Sequence, residues 1–135
     1  MTASPSVTSK SISGREAPQR EPEFTIPSYY AKNPLLFMTF NRPLETSQVF
    51  SQIRQAKPKR LYVASDGPRC NSKTDQENVM QVRQLVSEVD WDCEVFYLFQ
   101  ELNLGCREGC SSALQWFFEH EEQGIVLEDD CLPTS

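Results

Sequence analysis

Four short apolar runs alternate with three segments of helical periodicity, and this alternation restricts the chain more than any other feature of its sequence. The runs are Pro34-Leu35-Leu36-Phe37-Met38-Thr39-Phe40, Leu61-Tyr62-Val63-Ala64-Ser65, Cys93 to Phe99, and Ile125-Val126-Leu127. Each is a few residues long, continuous rather than alternating, and closed by a polar or proline-containing turn, which is how a strand covered on both faces reads. Between the first two, Val49, Phe50, Ile53 and Ala56 recur at helical spacing from Glu45 to Ala56, and Pro58 closes the segment. Between the second and third, Val79, Val82, Leu85, Val86 and Val89 form one apolar stripe. Thr74-Asp75-Gln76-Glu77 ahead of it has the capping-box pattern, so Thr74 is the expected cap. A third helix is expected from Glu108 to Glu121, with Cys110, Ala113, Leu114, Phe117 and Phe118 on its inner side. The order βαβαβαβ with short connections implies an α/β fold, a three-layer αβα arrangement around a parallel sheet with right-handed crossovers.

The fourth run leads directly into Glu128-Asp129-Asp130, followed by Cys131-Leu132-Pro133. A strand apolar on both faces is expected in the middle of a parallel sheet, and ligands of such sheets lie beyond the carboxyl ends of the strands. Three adjacent carboxylates repel one another unless a cation is held between them. Oxygen-only ligands point to a hard ion, Mg2+ or Mn2+, often shared with a phosphate. Taken alone, the run is equally an acidic surface turn.

The remaining composition bounds the function by exclusion. Lys and Arg total 13 against 19 Asp and Glu, for a net charge of −6 in 135 residues, which argues against a nucleic-acid surface. There is no apolar stretch of about eighteen residues to cross a bilayer. The amino terminus lacks the apolar core of a secretory signal. Residues 1 to 30 are rich in Ser, Thr and Pro with balanced charges, and read as a disordered tail preceding an ordered domain over 31–135. The five cysteines, Cys70, Cys93, Cys106, Cys110 and Cys131, show no zinc-site spacing with the single His120. They read as small buried or half-buried thiols of a reducing, cytoplasmic compartment. Trp91 and Trp116 are expected to be core or helix-face residues.

No Gly-x-Gly-x-x-Gly follows the first strand, no Gly-x-x-x-x-Gly-Lys-Ser/Thr occurs, and no Gly-x-Ser-x-Gly is present. These absences disfavour a dinucleotide-binding Rossmann domain, a P-loop NTPase and an α/β-hydrolase. What is left is polar chemistry at three strand ends: Asn41-Arg42, Asp66-Gly67 and Glu128-Asp129-Asp130. In a parallel sheet these groups share one edge, and together they suit an elongated anionic ligand such as a nucleotide-diphosphate sugar. Each has an ordinary alternative, Asp66-Gly67-Pro68 being common turn chemistry.

Four segments in order carry a resemblance: Phe37-Met38-Thr39-Phe40-Asn41-Arg42-Pro43, Val63-Ala64-Ser65-Asp66-Gly67-Pro68-Arg69, Asn103-Leu104-Gly105-Cys106, and Ile125-Val126-Leu127-Glu128-Asp129-Asp130-Cys131-Leu132-Pro133. Over residues 34 to 135 the chain resembles the N-terminal half of a GT-A fold glycosyltransferase. It is most similar to a bacterial group of nucleotide-diphospho-sugar transferases, some of them labelled haemolytic-protein-like. More distantly it resembles the N-acetylglucosaminyltransferase I family, which has Glu-Asp-Asp at the same strand end. No amphipathic lytic helix accompanies the haemolytic label.

The resemblance implies that Asp66 accepts from the base edge of the nucleotide, and that Thr39, Phe40, Asn41 and Arg42 line it, with Arg42 near base or phosphates. It implies that Asp130 is the direct metal ligand, as in DXD-like motifs, while Glu128 and Asp129 hold ribose and donor sugar. Gly67 belongs to the same site, and Arg107 is a weaker candidate for a phosphate contact. A UDP-sugar is the expected donor, and the acceptor is open. Acceptor groove and catalytic base have no counterpart in the sequence, so the expectation is a donor-binding half that binds weakly and does not transfer sugar alone. A degenerate sheet domain without a ligand remains an alternative. So does a sugar-phosphate nucleotidyltransferase, although Asn41-Arg42-Pro43-Leu44 lacks the glycines of that loop.

Overall fold

The computed structural model describes residues 32–129. The expected tail over 1–30 lies outside them, as do Asp130 and Cys131. Seven elements follow one another: β1 (Leu35–Thr39), α1 (Pro43–Ala56), β2 (Arg60–Ser65), α2 (Lys73–Val86), β3 (Glu94–Phe99), α3 (Gly105–His120) and β4 (Ile125–Glu128). All four strands are parallel, in the order β3-β2-β1-β4. The expected α/β class and βαβαβαβ order are therefore present.

Handedness turns this order into layers. The steps β1 to β2 and β2 to β3 move in one direction across the sheet, so right-handed crossovers place α1 and α2 on the same face. The step from β3 to β4 runs back past β2 and β1, which sends α3 to the opposite face. Two cores result. Leu35, Phe37, Leu61 and Val63 pack with Val49, Phe50, Ile53 and Val86 beneath α1 and α2. Leu36, Tyr62 and Ala64 pack with Ala113 and Phe117 beneath α3. Leu35, Leu36 and Phe37 are completely buried, so adjacent residues of β1 serve opposite cores. This is why the run is apolar without alternation. Trp91 is buried, lies tilted against Phe50 with ring centroids 5.9 Å apart and donates its indole N–H to the Pro58 carbonyl, while Trp116 sits edge-on to Tyr62.

Several local expectations are corrected. Only β1 and β2 are interior, and β4 pairs with β1 alone among the described residues, so the strand before the acidic run is an edge strand. Its apolar residues reflect helices above and below, not strands on either side. The cap of α2 is Ser72, whose hydroxyl accepts from the Asp75 amide, and not Thr74. The helix begins earlier because Asp75 is drawn inward by other partners, described below. On α3, Ala113 and Phe117 are buried but Phe118 is 47% exposed. Cys93 and Cys110 are buried or half-buried as expected, whereas Cys70 and Cys106 are exposed. Among the described residues no helix is long and apolar enough to cross a membrane.

Phe37 lies at the centre of the larger core, 6.3 Å from the parallel ring of Phe50. Replacing it with alanine leaves a cavity between sheet and helix, and Phe37→Ala should lower the unfolding free energy by about 3–5 kcal/mol. Urea titration followed by circular dichroism measures this; a loss under about 1 kcal/mol would show that the core collapses around the site.

Candidate functional site

The reversal of strand order between β1 and β4 opens a crevice at their carboxyl ends, the place where open α/β sheets bind ligands. A cleft of about 420 Å³ occupies it, within the usual range for small-molecule sites. It is lined by Thr39, Phe40, Asn41 and Arg42 from the end of β1, by Ser65, Asp66 and Arg69 from the end of β2, by Gln100 and Asn103 after β3, and by Glu128 and Asp129 from the end of β4. Gly105, Cys106, Gly109 and Cys110 of α3 form its other wall. Seven of the expected residues, Thr39, Phe40, Asn41, Arg42, Asp66, Glu128 and Asp129, thus converge on one cavity. Asp130 lies outside the described residues. Gly67 and Arg107 do not line the cleft.

Gly67 has a different reason to be glycine. A β-carbon there would lie 2.7 Å from the backbone carbonyl of Leu102, so no side chain fits where the loop after β3 crosses β2. That crossing is fastened by Asp66. Its Oδ1 accepts from the amides of Gly67 (2.9 Å) and Leu104 (2.8 Å), and its Oδ2 accepts from Asn103 Nδ2 (3.2 Å) and the Gly105 amide (3.0 Å). A carboxylate has about four lone-pair sites, and all are used inside the chain. Gly105 opens α3 with φ of 90°, a left-handed conformation that glycine adopts without strain. The side chain of Asp66 therefore anchors the start of α3 to the end of β2.

A second carboxylate organises the opposite wall. Asp75 is 1% exposed and accepts from the Asn41 amide, the Arg69 backbone amide and two nitrogens of the Arg69 guanidinium, all between 2.6 and 3.0 Å. The bonded Arg69 guanidinium holds this carboxyl far below the usual carboxylate range against the opposing effect of burial, with Asn41 adding to the lowering. Asp75 also sits in the first turn of α2, where the helix dipole favours an anion. Arg69, fixed in this way, lies with its guanidinium 5.9 Å from the ring of Phe40. Neither Arg69 nor Asp75 is marked by spacing or periodicity, and the only hint in sequence is an arginine directly after Asp66-Gly67-Pro68.

Arg83 locks the floor. It donates to the hydroxyl and carbonyl of Ser65 and to the carbonyls of Asp66 and Gln100, so one α2 side chain closes the ends of β2 and β3. Burial lowers its guanidinium pKa from the ordinary value. The Thr39 hydroxyl turns back into the sheet and donates to the Ala64 carbonyl at 2.9 Å. Glu128 is exposed at the mouth beside Cys110, whose thiol is pushed up first by burial and then by that carboxylate. Asp129 is nearly buried, its amide bonded to the Met38 carbonyl.

Among the described residues no three carboxylate, thiol or imidazole groups come together as a metal-binding group. Glu128 and Asp129 supply two hard oxygen donors at one rim, a partial set that suits a hard cation completed by phosphate or water. The cleft carries the Arg42 guanidinium, the Arg69–Phe40 pair and the carboxylates of Glu128 and Asp129. Comparison of the chain with protein-family models, curated proteins and solved structures returns no match.

The Asp75 knot carries a pH signature. Its folded pKa lies below the unfolded value of about 3.9, so its stabilisation is complete above that value and is lost as pH falls through and below it. Asp75→Asn should destabilise the protein most near neutral pH, and the gap to wild type should close progressively below about pH 4. Urea midpoints of both proteins across this range test it; a gap that stays constant with pH would mean the carboxylate charge contributes nothing.

Proposed function

We propose that this chain binds the donor of a glycosyl transfer, a nucleotide-diphosphate sugar, in the cleft at the carboxyl ends of β1, β2 and β4. The observation that carries the reading is the convergence of Asn41-Arg42, Asp66 and Glu128-Asp129 on one cavity at the point where strand order reverses. Separated by up to 88 positions in sequence, they share a site only because the strands are parallel.

In this reading Thr39, Phe40 and Asn41 line the nucleoside, and Arg42 supplies charge-assisted hydrogen bonds to base or diphosphate oxygens. Glu128 and Asp129 hold ribose and sugar hydroxyls, and with Asp130 they would hold Mg2+ or Mn2+. Such an ion neutralises the diphosphate charge that develops as the nucleotide leaves. Asp66 acts chiefly by position: with four internal hydrogen bonds it holds the α3 wall, and a base edge would have to replace Asn103 to reach it. A UDP-sugar is the first donor to test.

A second reading, a sheet domain that keeps its core without a ligand, is favoured by one observation. Asn41, Asp66 and Arg69 all satisfy one another or neighbouring groups inside the chain. Calorimetric titration with UDP, GDP and CDP, with and without Mn2+, separates the two. The expected result is metal-dependent binding of one nucleoside diphosphate, weakened roughly ten- to hundredfold by Arg42→Ala, the loss of one charged hydrogen bond, and abolished by Asp130→Ala. No heat with any of the three in either condition would leave the second reading standing.

A further inference from the structure

β3 lies at one end of the sheet, and its outer side has no partner strand among the described residues. The amides of Glu94 and Gln100 donate to Lys59 and Ser65, so residues 94, 96, 98 and 100 direct their backbone groups to β2. By the alternation of a strand, the N–H and C=O of Val95, Tyr97 and Phe99 point outward. Folded proteins usually blunt such an edge with lysine, proline or a bulge. From Val95 to Phe99 there is none of these. Phe96, Tyr97 and Phe99 are 37%, 40% and 36% exposed, and the one charge of the strand, Glu94, is matched by Arg60 at 3.5 Å.

We propose that this edge joins two copies of the chain, β3 running antiparallel to β3 about a two-fold axis normal to the sheet at Tyr97. The argument for a second copy is self-complementarity. Such an axis keeps the α3 face of one copy beside the α3 face of the other, so directly opposed residues are both odd or both even in number. Tyr97 opposite Tyr97 is the register that uses every outward group: Tyr97 pairs with its own copy, and Val95 and Phe99 pair with each other twice, for about six hydrogen bonds. On the α1–α2 face Val95 meets Phe99, and on the α3 face Phe96 meets Leu98. At the ends Glu94 faces Gln100, an amide able to donate to a carboxylate, so no like charges oppose one another in a chain of net charge −6. Sliding by two residues sets Glu94 against Leu98 in one direction and Val95 against Glu101 in the other. The resulting sheet is continuous across both copies, an isologous closed dimer, and both clefts stay open at its strand ends.

Sedimentation equilibrium of the 135-residue chain tests this without any ligand. The expected result is a concentration-dependent rise from 15.5 kDa to about twice that mass. Tyr97→Lys opposes two lysines at the axis and should weaken association at least tenfold with an unchanged circular dichroism spectrum. Tyr97→Phe is the control for folding, since it also loses the hydroxyl bond to the Val86 carbonyl, and it should remain dimeric. Tyr97→Cys, oxidised and mapped by peptide mass, should give a dimer linked through position 97 of both copies. A chain monomeric at every concentration overturns the proposal, including the case in which another segment or a different protein covers the edge. A dimer indifferent to Tyr97→Lys overturns it as well, because association then uses another surface.

Discussion

The carboxylate of Asp66 accepts hydrogen bonds from Gly67, Asn103, Leu104 and Gly105, and the shape of the cleft depends on those contacts. They bring the loop after β3 across the end of β2 and set the first turn of α3 beside it. The α3 axis is thereby fixed at the only end where it borders the cavity. Gly67 permits the crossing by having no side chain, and Gly109 brings α3 close enough that a β-carbon there would lie 3.3 Å from Asp66 Oδ2. This cleft wall is made of backbone and small residues, tied to a carboxylate that accepts four hydrogen bonds from within the chain.

Around this anchor the charges are arranged in pairs rather than scattered. Asp75 is buried but bound to Arg69 and Asn41 through bidentate and amide hydrogen bonds, the condition under which a buried carboxylate stays ionised. Arg83 is half-buried and satisfied by three carbonyls and a hydroxyl. These side chains position the cleft without belonging to a ligand. Arg42 and Glu128 occupy its exposed rim, at the ends of the neighbouring strands β1 and β4.

Much of this was legible in the residues. Each strand and helix stands within a few positions of where its apolar pattern puts it, because burial against helices on two faces leaves unbroken apolar runs and burial of one helix face leaves a stripe. Asn41-Arg42, Asp66 and Glu128-Asp129 were visible as polar groups at strand ends, and parallel strands place strand ends together. The Ser72 cap was missed because Thr74 and Glu77 satisfy the same pattern, and only the pull of Arg69 and Asn41 on Asp75 selects the earlier start. The roles of Gly67 and Arg83 were not legible either, since both answer to chain segments far away in sequence.

By itself the sequence determined the class, the number and type of elements, and which polar groups end the strands, all of which follow from local periodicity. Only the tertiary structure decided the order of the strands. A run such as Ile125-Val126-Leu127 is apolar whether it lies at the centre or the edge of the sheet, because side chains report the helices above and below it. Lateral neighbours are read by backbone hydrogen bonds, which every residue but proline makes alike. Among the described residues, the edge position of β4, the open outer side of β3 and the pairing of Asp66 with α3 are therefore decisions of packing and chain handedness.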